Sequence, residues 1–482
     1  MKVTKITPAY DRSALKPRIL HIGFGAFARA HQMVYLDELL SQEGGDWGVM
    51  AVRLNSGAQA LSALDAANGL YTVIEADDDT LTAREIGVIA GTCHPERDGR
   101  DRLLDAFGAP DLAIVSLTIT EKGYCLSGHT LDLDHKGIKA DLDTPTAPKT
   151  AIGVIVEGLA RRRAAGQGGL TVMSCDNLPE NGALAKAAVL AFAQARDAAL
   201  ARWIENTCRF PATMVDRIVP ALDADSAALI EEVTGHEDAN GILCEPFCQW
   251  VIEDNFAGPR PAWEKVGVQI VPDVRPFEDM KLRMLNGAHT FIANLGAVTG
   301  HATVASSVAD PVFRAAARQL MGAEQAATLA PLSGVDLDAY ADALIARFGN
   351  ARLQHRTTQI ATDTSAKLPQ RLLAPAKAHL ADGSAWPLTA LGIAGWMLYL
   401  RGKDEAGNDL PLCDPLADAL RDIVAAQDGA EYVSALLSLR AVFDADLAHN
   451  AEFAAAIQKA YAELTTKGVR AAINARLHSP VL

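Results

Sequence analysis

Cysteine is scarce in this 482-residue chain: seven (Cys93, Cys125, Cys175, Cys208, Cys244, Cys248, Cys413), an odd number with no CxxC pair. Cys244 and Cys248 lack a second ligand pair at zinc-site spacing, so buried, reduced thiols in a cytosolic protein are expected, and no metal. Positive charge is also short. Against 59 acidic side chains stand 44 basic ones, a formal net charge of −15. No basic block offsets that balance, which argues against a nucleic-acid partner and an anionic membrane surface. The greasiest stretch, 388–400, is too short to cross a bilayer, which needs roughly 20 residues. The opening MKVTKITPAYDRSALKPR lacks the apolar core of a secretory signal, and a soluble, cytoplasmic protein is expected. Internal repeats and low-complexity tracts are missing too.

What is present is an ordinary globular composition, 49% hydrophobic and 21% charged, long enough for two to four domains. The first half alternates strands and helices. Arg18 to Gly23 is a short apolar run stopped by glycine, followed by a helical pattern over 26–40 and a second strand over 48–52. Further buried strands are expected at 70–74, 112–118 and 170–174, with helices over 152–163 and 180–203. Strand, helix, strand in series predicts a parallel sheet covered on both faces. Near Pro272–Pro276 the character changes to alanine- and leucine-rich helices: 277–295, 311–329, 336–348, 387–401, 415–426 and 450–464, several opening on proline. The fold class is thus α/β: an N-terminal Rossmann-type, doubly wound parallel sheet (1–275) and a mostly α-helical C-terminal domain (276–482).

The glycine turn is the first motif with chemistry. Gly23, Phe24, Gly25, Ala26, Phe27 and Ala28 fit GxGxxA directly after an apolar strand and before a helix. Gly23 permits the tight turn, Gly25 lets backbone approach a pyrophosphate, and the small Ala28 allows close helix–strand packing. The phosphates would sit on the helix N-terminus. The acid that usually ends the second strand and bonds the ribose is missing. Asn55 can bond a hydroxyl there, whereas Arg53 could attract a 2′-phosphate, so NAD is expected with NADP left open.

A polar helix face opens the second half. At about 100° per residue, Glu278, Lys281, Asn286 and His289 fall within an arc of roughly 140°. Hydride reduction of a carbonyl needs a proton donor to the developing alkoxide and hydrogen-bond donors to hold its charge. A lysine of lowered pKa supplies the first and asparagine amides the second. Asn177, at the carboxyl end of the 170–174 strand, lies where ligands of open α/β sheets bind.

These residues resemble a known family. HIGFGAFARAHQ at 21–32, TITEKGY at 118–124, SCDNLPENG at 174–182, FPATMVDRIVP at 210–220, EPFCQWVIEDNF at 245–256 and KLRMLNGAH at 281–289 are similar to the long-chain mannitol dehydrogenases, polyol and uronate dehydrogenases that use no zinc. The resemblance covers essentially the whole chain. It implies Lys281 as general acid/base, Asn177 and Asn286 as the oxyanion pocket, and His289 as the group that positions a substrate hydroxyl. It further implies Glu278 as the proton relay to solvent, Asp216 at the cofactor–substrate junction and Glu121 near the nicotinamide end.

The segment 355–371 resembles the fructuronate reductase (D-mannonate oxidoreductase) branch, with Gln359 where the mannitol branch has arginine. A hexuronate carries a carboxylate that needs a cation, for which Arg356, Lys367 and Arg371 are candidates, Arg371 being best suited to a bidentate grip. The expected reaction is D-fructuronate plus NADH to D-mannonate. A polyol 2-dehydrogenase acting on mannitol, sorbitol or arabinitol is the alternative, and a dinucleotide-sensing regulator without turnover a third reading. The partner is a small sugar acid or polyol, and the chain is a monomer or small homo-oligomer.

Overall fold

A computed structural model describes residues 2–477 apart from Asp78 and Ser333. The chain forms two compact units, Met1–Arg275 and Pro276–Leu482.

At the centre of the first unit lies a five-stranded parallel sheet, in spatial order Thr171–Ser174, Ile114–Leu117, Lys16–Ile22, Trp47–Val52 and Ile89–Cys93. The first of these strands in the chain, Lys16–Ile22, is the middle one, and the chain winds outward from it in both directions. Beside its carboxyl end is therefore the switch point where open α/β sheets bind ligands. Both faces are covered. Leu20, Ile22, Val115, Leu117 and Val172 pack into one core with the helices Ala151–Ala164 and Asn181–Arg196, while Ile19, Val49, Ile114 and Met173 pack into another with Gln32–Glu43. Burial on two sides is why four of these strands carry apolar runs rather than alternating, at about 1.5–3 kcal/mol for each large aliphatic side chain.

In this unit three expectations need correction. The 70–74 segment is a strand, Tyr71–Ala76, but lies outside the parallel sheet. It runs antiparallel to Thr80–Ile86 in a separate four-stranded sheet with Lys2–Ile6 and Ile242–Cys244. The intervening residues 77–79 are too few for the crossover that a parallel neighbour requires. Its place in the parallel sheet is taken by Ile89–Cys93, whose IAGTC sequence offers no apolar run. The helix expected over 26–40 breaks at His31 (φ −119°, ψ −83°) into Ala26–Ala30 and Gln32–Glu43. The helix over 180–203 breaks at Asp197, which is extended and caps Ala198–Thr207 by accepting the Ala199 N–H at 2.8 Å. A third small sheet holds Thr213–Asp216, Gln249–Glu253 and Gln269–Val271.

The second unit is helical around Gly287–Val298, every residue of which is buried. This helix packs on Pro387–Tyr399, which in turn packs on Ala451–Lys467. Pro387–Tyr399, apolar on almost every face, belongs inside. Among the described residues, regular α-geometry is interrupted three times by π turns, at Lys281–Asn286, Leu320–Gln325 and Pro369–Leu373. The single helices expected over 277–295 and 311–329 are therefore compound, and the latter finishes as the 3₁₀ turn Ala326–Thr328. The helix expected from Pro415 starts at Ala417. No helix among the described residues is long and apolar enough to cross a membrane. All seven cysteines are free: five are buried, Cys248 is partly so and Cys413 is exposed.

Candidate active site

In the first unit the glycine turn closes directly over the end of Lys16–Ile22. Gly23 has φ +91°, and a Cβ there would sit 2.2 Å from the Thr118 carbonyl oxygen, so only glycine fits. Gly25 differs: a Cβ there would touch nothing nearer than the Gly23 oxygen at 3.5 Å, leaving open space above the turn. No side chain caps the helix that Gly25 begins, so its first N–H groups are left to another partner. That combination suits the pyrophosphate of a dinucleotide. Phe24 and Ala28 are buried beneath the turn, and Phe27 stacks on His31 with ring centres 4.9 Å apart.

A buried relay holds the turn in place. His21 meets Ser116 Oγ through Nδ1 at 2.8 Å and Thr118 Oγ1 through Nε2 at 2.9 Å, while Thr118 donates to the Gly23 carbonyl at 2.8 Å. Having spent its proton on Gly23, Thr118 accepts from Nε2–H, which leaves Nδ1 to accept from Ser116. Burial pushes the His21 pKa down to about 3, so the ring is neutral.

The other expected residues of this unit are spread along the same carboxyl ends. Asn55 is exposed in the loop after Trp47–Val52. The Arg53 guanidinium lies across Gly57, where a Cβ would come within 2.4 Å of it. Glu121 is exposed in the short helix Thr120–Gly123, Asn177 is exposed just beyond Thr171–Ser174, and Asp216 is buried at the end of Thr213–Asp216. Asp176 and Asn181, unassigned in the sequence reading, bracket Asn177 with hydrogen bonds.

In the second unit, the π turn carries Lys281 at its start and Asn286 at its end, with His289 one turn further on. A π turn advances less than 100° per residue, so the arc drawn for a regular helix does not describe this face. All three are nonetheless withdrawn from solvent, at 8, 8 and 7% exposure, whereas Glu278 is half-buried. Asn286 Nδ2 and His289 Nε2 are buried without any hydrogen-bond partner. Burial, reinforced by His355, Arg371 and Arg347, holds the His289 imidazole well below its usual pKa, and therefore neutral. The ring packs 4.4 Å from Phe348 and edge-on to His355.

The three cationic candidates separate clearly. Arg356 is exposed, at the N-terminus of Thr357–Ile360. Lys367 Nζ donates to the Thr362 and Ile360 carbonyls at 2.5 and 3.4 Å, its pKa lowered by burial and by nearby Arg371. Arg371, half-buried, donates only to Thr290 Oγ1 at 3.2 Å and forms no ion pair among the described residues. Thr290 in turn donates to the Asn286 carbonyl at 3.0 Å, tying Arg371 to the Asn286–His289 helix. Thr290 and His355 escaped the sequence reading, since a lone threonine and a lone histidine carry no spacing signal. Gly287 makes the approach fit: a Cβ there would lie 2.9 Å from the Arg371 carbonyl and 3.7 Å from the Gln325 side chain, so the three π turns meet at this glycine. No group of three or more His, Cys, Asp or Glu is placed to hold a metal ion among the described residues.

A doubly wound sheet with a phosphate-type glycine turn, followed by a helical unit that buries a lysine, an asparagine and a neutral histidine on one helix, defines a Rossmann-type oxidoreductase. Comparison with known proteins gives the family. Residues 17–265 match the mannitol dehydrogenase Rossmann domain and residues 273–465 the mannitol dehydrogenase C-terminal domain, so the chain belongs to the mannitol dehydrogenase family. It is 50% identical to D-mannonate oxidoreductase of Escherichia coli (strain K12) over 97% of both chains. It is 38% identical to Pseudomonas fluorescens mannitol 2-dehydrogenase, solved as a ternary complex with NAD and D-mannitol, with TM-score 0.85 and full coverage of both chains. A substrate-free D-sorbitol dehydrogenase, 34% identical, superposes with TM-score 0.91 over 98% of this chain and 97% of the other.

Proposed function

We propose that this oxidoreductase interconverts D-fructuronate and D-mannonate with NAD as cofactor. The observation that carries the sugar-acid reading is Arg371: a half-buried guanidinium joined only to the neutral Thr290 hydroxyl, one residue away from His289. A half-buried arginine left without a carboxylate partner is matched by a substrate that brings one. The name of the Escherichia coli relative at 50% identity agrees with this chemistry.

In the reducing direction, bound NADH supplies the hydride. Gly23, Phe24, Gly25, Ala26 and Phe27 hold the pyrophosphate, Asn55 bonds the ribose, and Glu121 and Asp216 bound the nicotinamide end. Lys281 protonates the alkoxide formed at the substrate's secondary carbon, and Glu278 exchanges that proton with solvent. Asn177 and Asn286 hold the developing negative charge, and the orphaned Asn286 Nδ2 is the donor left over for it. Neutral His289 fixes a substrate hydroxyl through its orphaned Nε2. Arg371, with Lys367 beside it and Arg356 further out, holds the carboxylate.

The test follows NADH consumption with D-fructuronate and with D-fructose side by side. A preference of at least about ten-fold in kcat/KM for fructuronate is expected, since charged hydrogen bonds contribute about 1.5–3 kcal/mol. A preference for fructose would establish instead the polyol chemistry named for the mannitol and sorbitol relatives.

A further inference from the structure

We propose that Asp176 is a positioning residue that sets the Asn177 amide for oxyanion binding, an inference resting on the role given to Asn177 above. Asn177 stands at the tip of a tight turn in which the Asp176 carbonyl accepts the Leu178 N–H at 2.9 Å. Two independent clamps fix that turn.

The first grips the Asp176 side chain, which is 9% exposed. Its Oδ1 accepts the Thr120 N–H at 2.8 Å, and its Oδ2 accepts the Ile119 N–H at 3.0 Å and the Tyr124 hydroxyl at 2.7 Å. Tyr124 is fully buried and also meets Ser174 Oγ at 2.6 Å. The second clamp grips the Asp176 backbone. Buried Asn181 donates to its carbonyl at 3.0 Å and to the Thr213 carbonyl at 2.8 Å, and accepts the Thr213 N–H at 2.9 Å.

The first clamp does more than fill space. Thr120 has φ +62°, a left-handed conformation unfavourable for a β-branched residue, and such strain persists only where the surroundings over-determine it. The carboxylate taking both the Ile119 and Thr120 N–H groups is that determinant. It joins the start of the Glu121 helix and the Asn177 turn through one side chain, so both ligand-facing loops share a single anchor. An amide in its place keeps the shape but turns an NH₂ toward at least one of these N–H groups.

The experiment measures kcat, KM and NADH affinity for D176N, Y124F, N177A and the two doubles in the full chain, with D-fructuronate and with D-fructose. With whichever ketone is turned over, D176N should lower kcat about 10–100-fold and leave KM and NADH affinity within about three-fold. In the N177A background the same change should add less than about two-fold, because the group it positions is gone. Y124F, which removes one of three donors and spares the core, should lower kcat about three- to ten-fold with the same loss of effect beside N177A. Should D176N fail to fold, Y124F decides. Equal losses with and without Asn177, or losses confined to KM or NADH binding, would overturn the positioning role alone. An N177A enzyme with undiminished kcat would instead overturn the assignment of Asn177, and this inference with it.

Discussion

Two sets of buried polar side chains, one in each unit, are treated in opposite ways. In the first unit, three residues at the carboxyl ends of the sheet and its flanking turn are saturated: both ring nitrogens of His21, both carboxylate oxygens of Asp176 and both amide atoms of Asn181 have partners. In the second unit, Asn286 Nδ2 and His289 Nε2 are buried with none, and Arg371 has one neutral contact. Saturated networks rigidify, whereas an unsatisfied buried polar atom is unfavourable by about 1–3 kcal/mol and persists where function uses it. The first arrangement holds loops still; the second keeps hydrogen bonds in reserve.

That contrast can be broken most severely at Lys281, the proposed proton donor. Lys281→Ala should lower kcat by about 10²–10⁴-fold while NADH affinity and Tm stay near wild type. Retained turnover would remove the lysine from the mechanism. Next in size is a change to the saturated side. Asn181→Ala strands the Thr213 N–H and the Thr213 carbonyl in a buried site, with an expected loss of about 3 kcal/mol in unfolding free energy. Denaturant melts check it, and an undiminished midpoint would show that water replaces the lost partners. The reserve side should respond in reverse. Arg371→Met is expected to raise KM for D-fructuronate about 10–100-fold without lowering Tm, because no protein ion pair is lost. A lower Tm with unchanged KM would make Arg371 a structural residue.

The same contrast separates what the letters disclose from what they hide. Four of the five strands of the central sheet were legible because strands buried on both faces are short apolar runs, and the glycine turn because Gly23 has a backbone task that only glycine can do. The Tyr71–Ala76 strand shows the limit: its pattern is right, and only the three-residue return to Thr80 tells which sheet it joins. Asp197 and His31 break helices inside stretches of unbroken helical composition. At Asp197 the signal was there, an N-cap residue before an alanine run, but it was outweighed by the alanines on either side. The π turns left no signal, since one extra residue per turn needs no special side chain. Lysine, asparagine and histidine on one helix could therefore be picked out while their true angular spacing could not. Arg371 and its partner Thr290 come together only because Gly287 lets two π turns touch, a contact between segments 84 residues apart.

The smallest expected effect concerns acid. Both units bury a neutral histidine: His21 is bonded at both nitrogens, whereas His289 keeps Nε2 without a partner. An imidazole whose pKa is lowered on folding binds fewer protons in the native state than in the unfolded chain, whose value is about 6.5. Stability from this source is complete above that value and declines as pH falls toward the folded value, for His21 about 3. The slope is about 1.4 kcal/mol per pH unit for one such group. Lowering the pH from 6.5 to 5 should thus destabilise the wild type relative to His21→Gln by about 2 kcal/mol, even though the variant is the weaker protein at neutral pH. Chemical melts of both proteins at three pH values measure the difference. Parallel pH curves would mean that His21 takes up a proton in the folded state, with the Ser116 and Thr118 hydroxyls turning to accept from both ring nitrogens, and the saturated side of the contrast would then be adaptable rather than fixed.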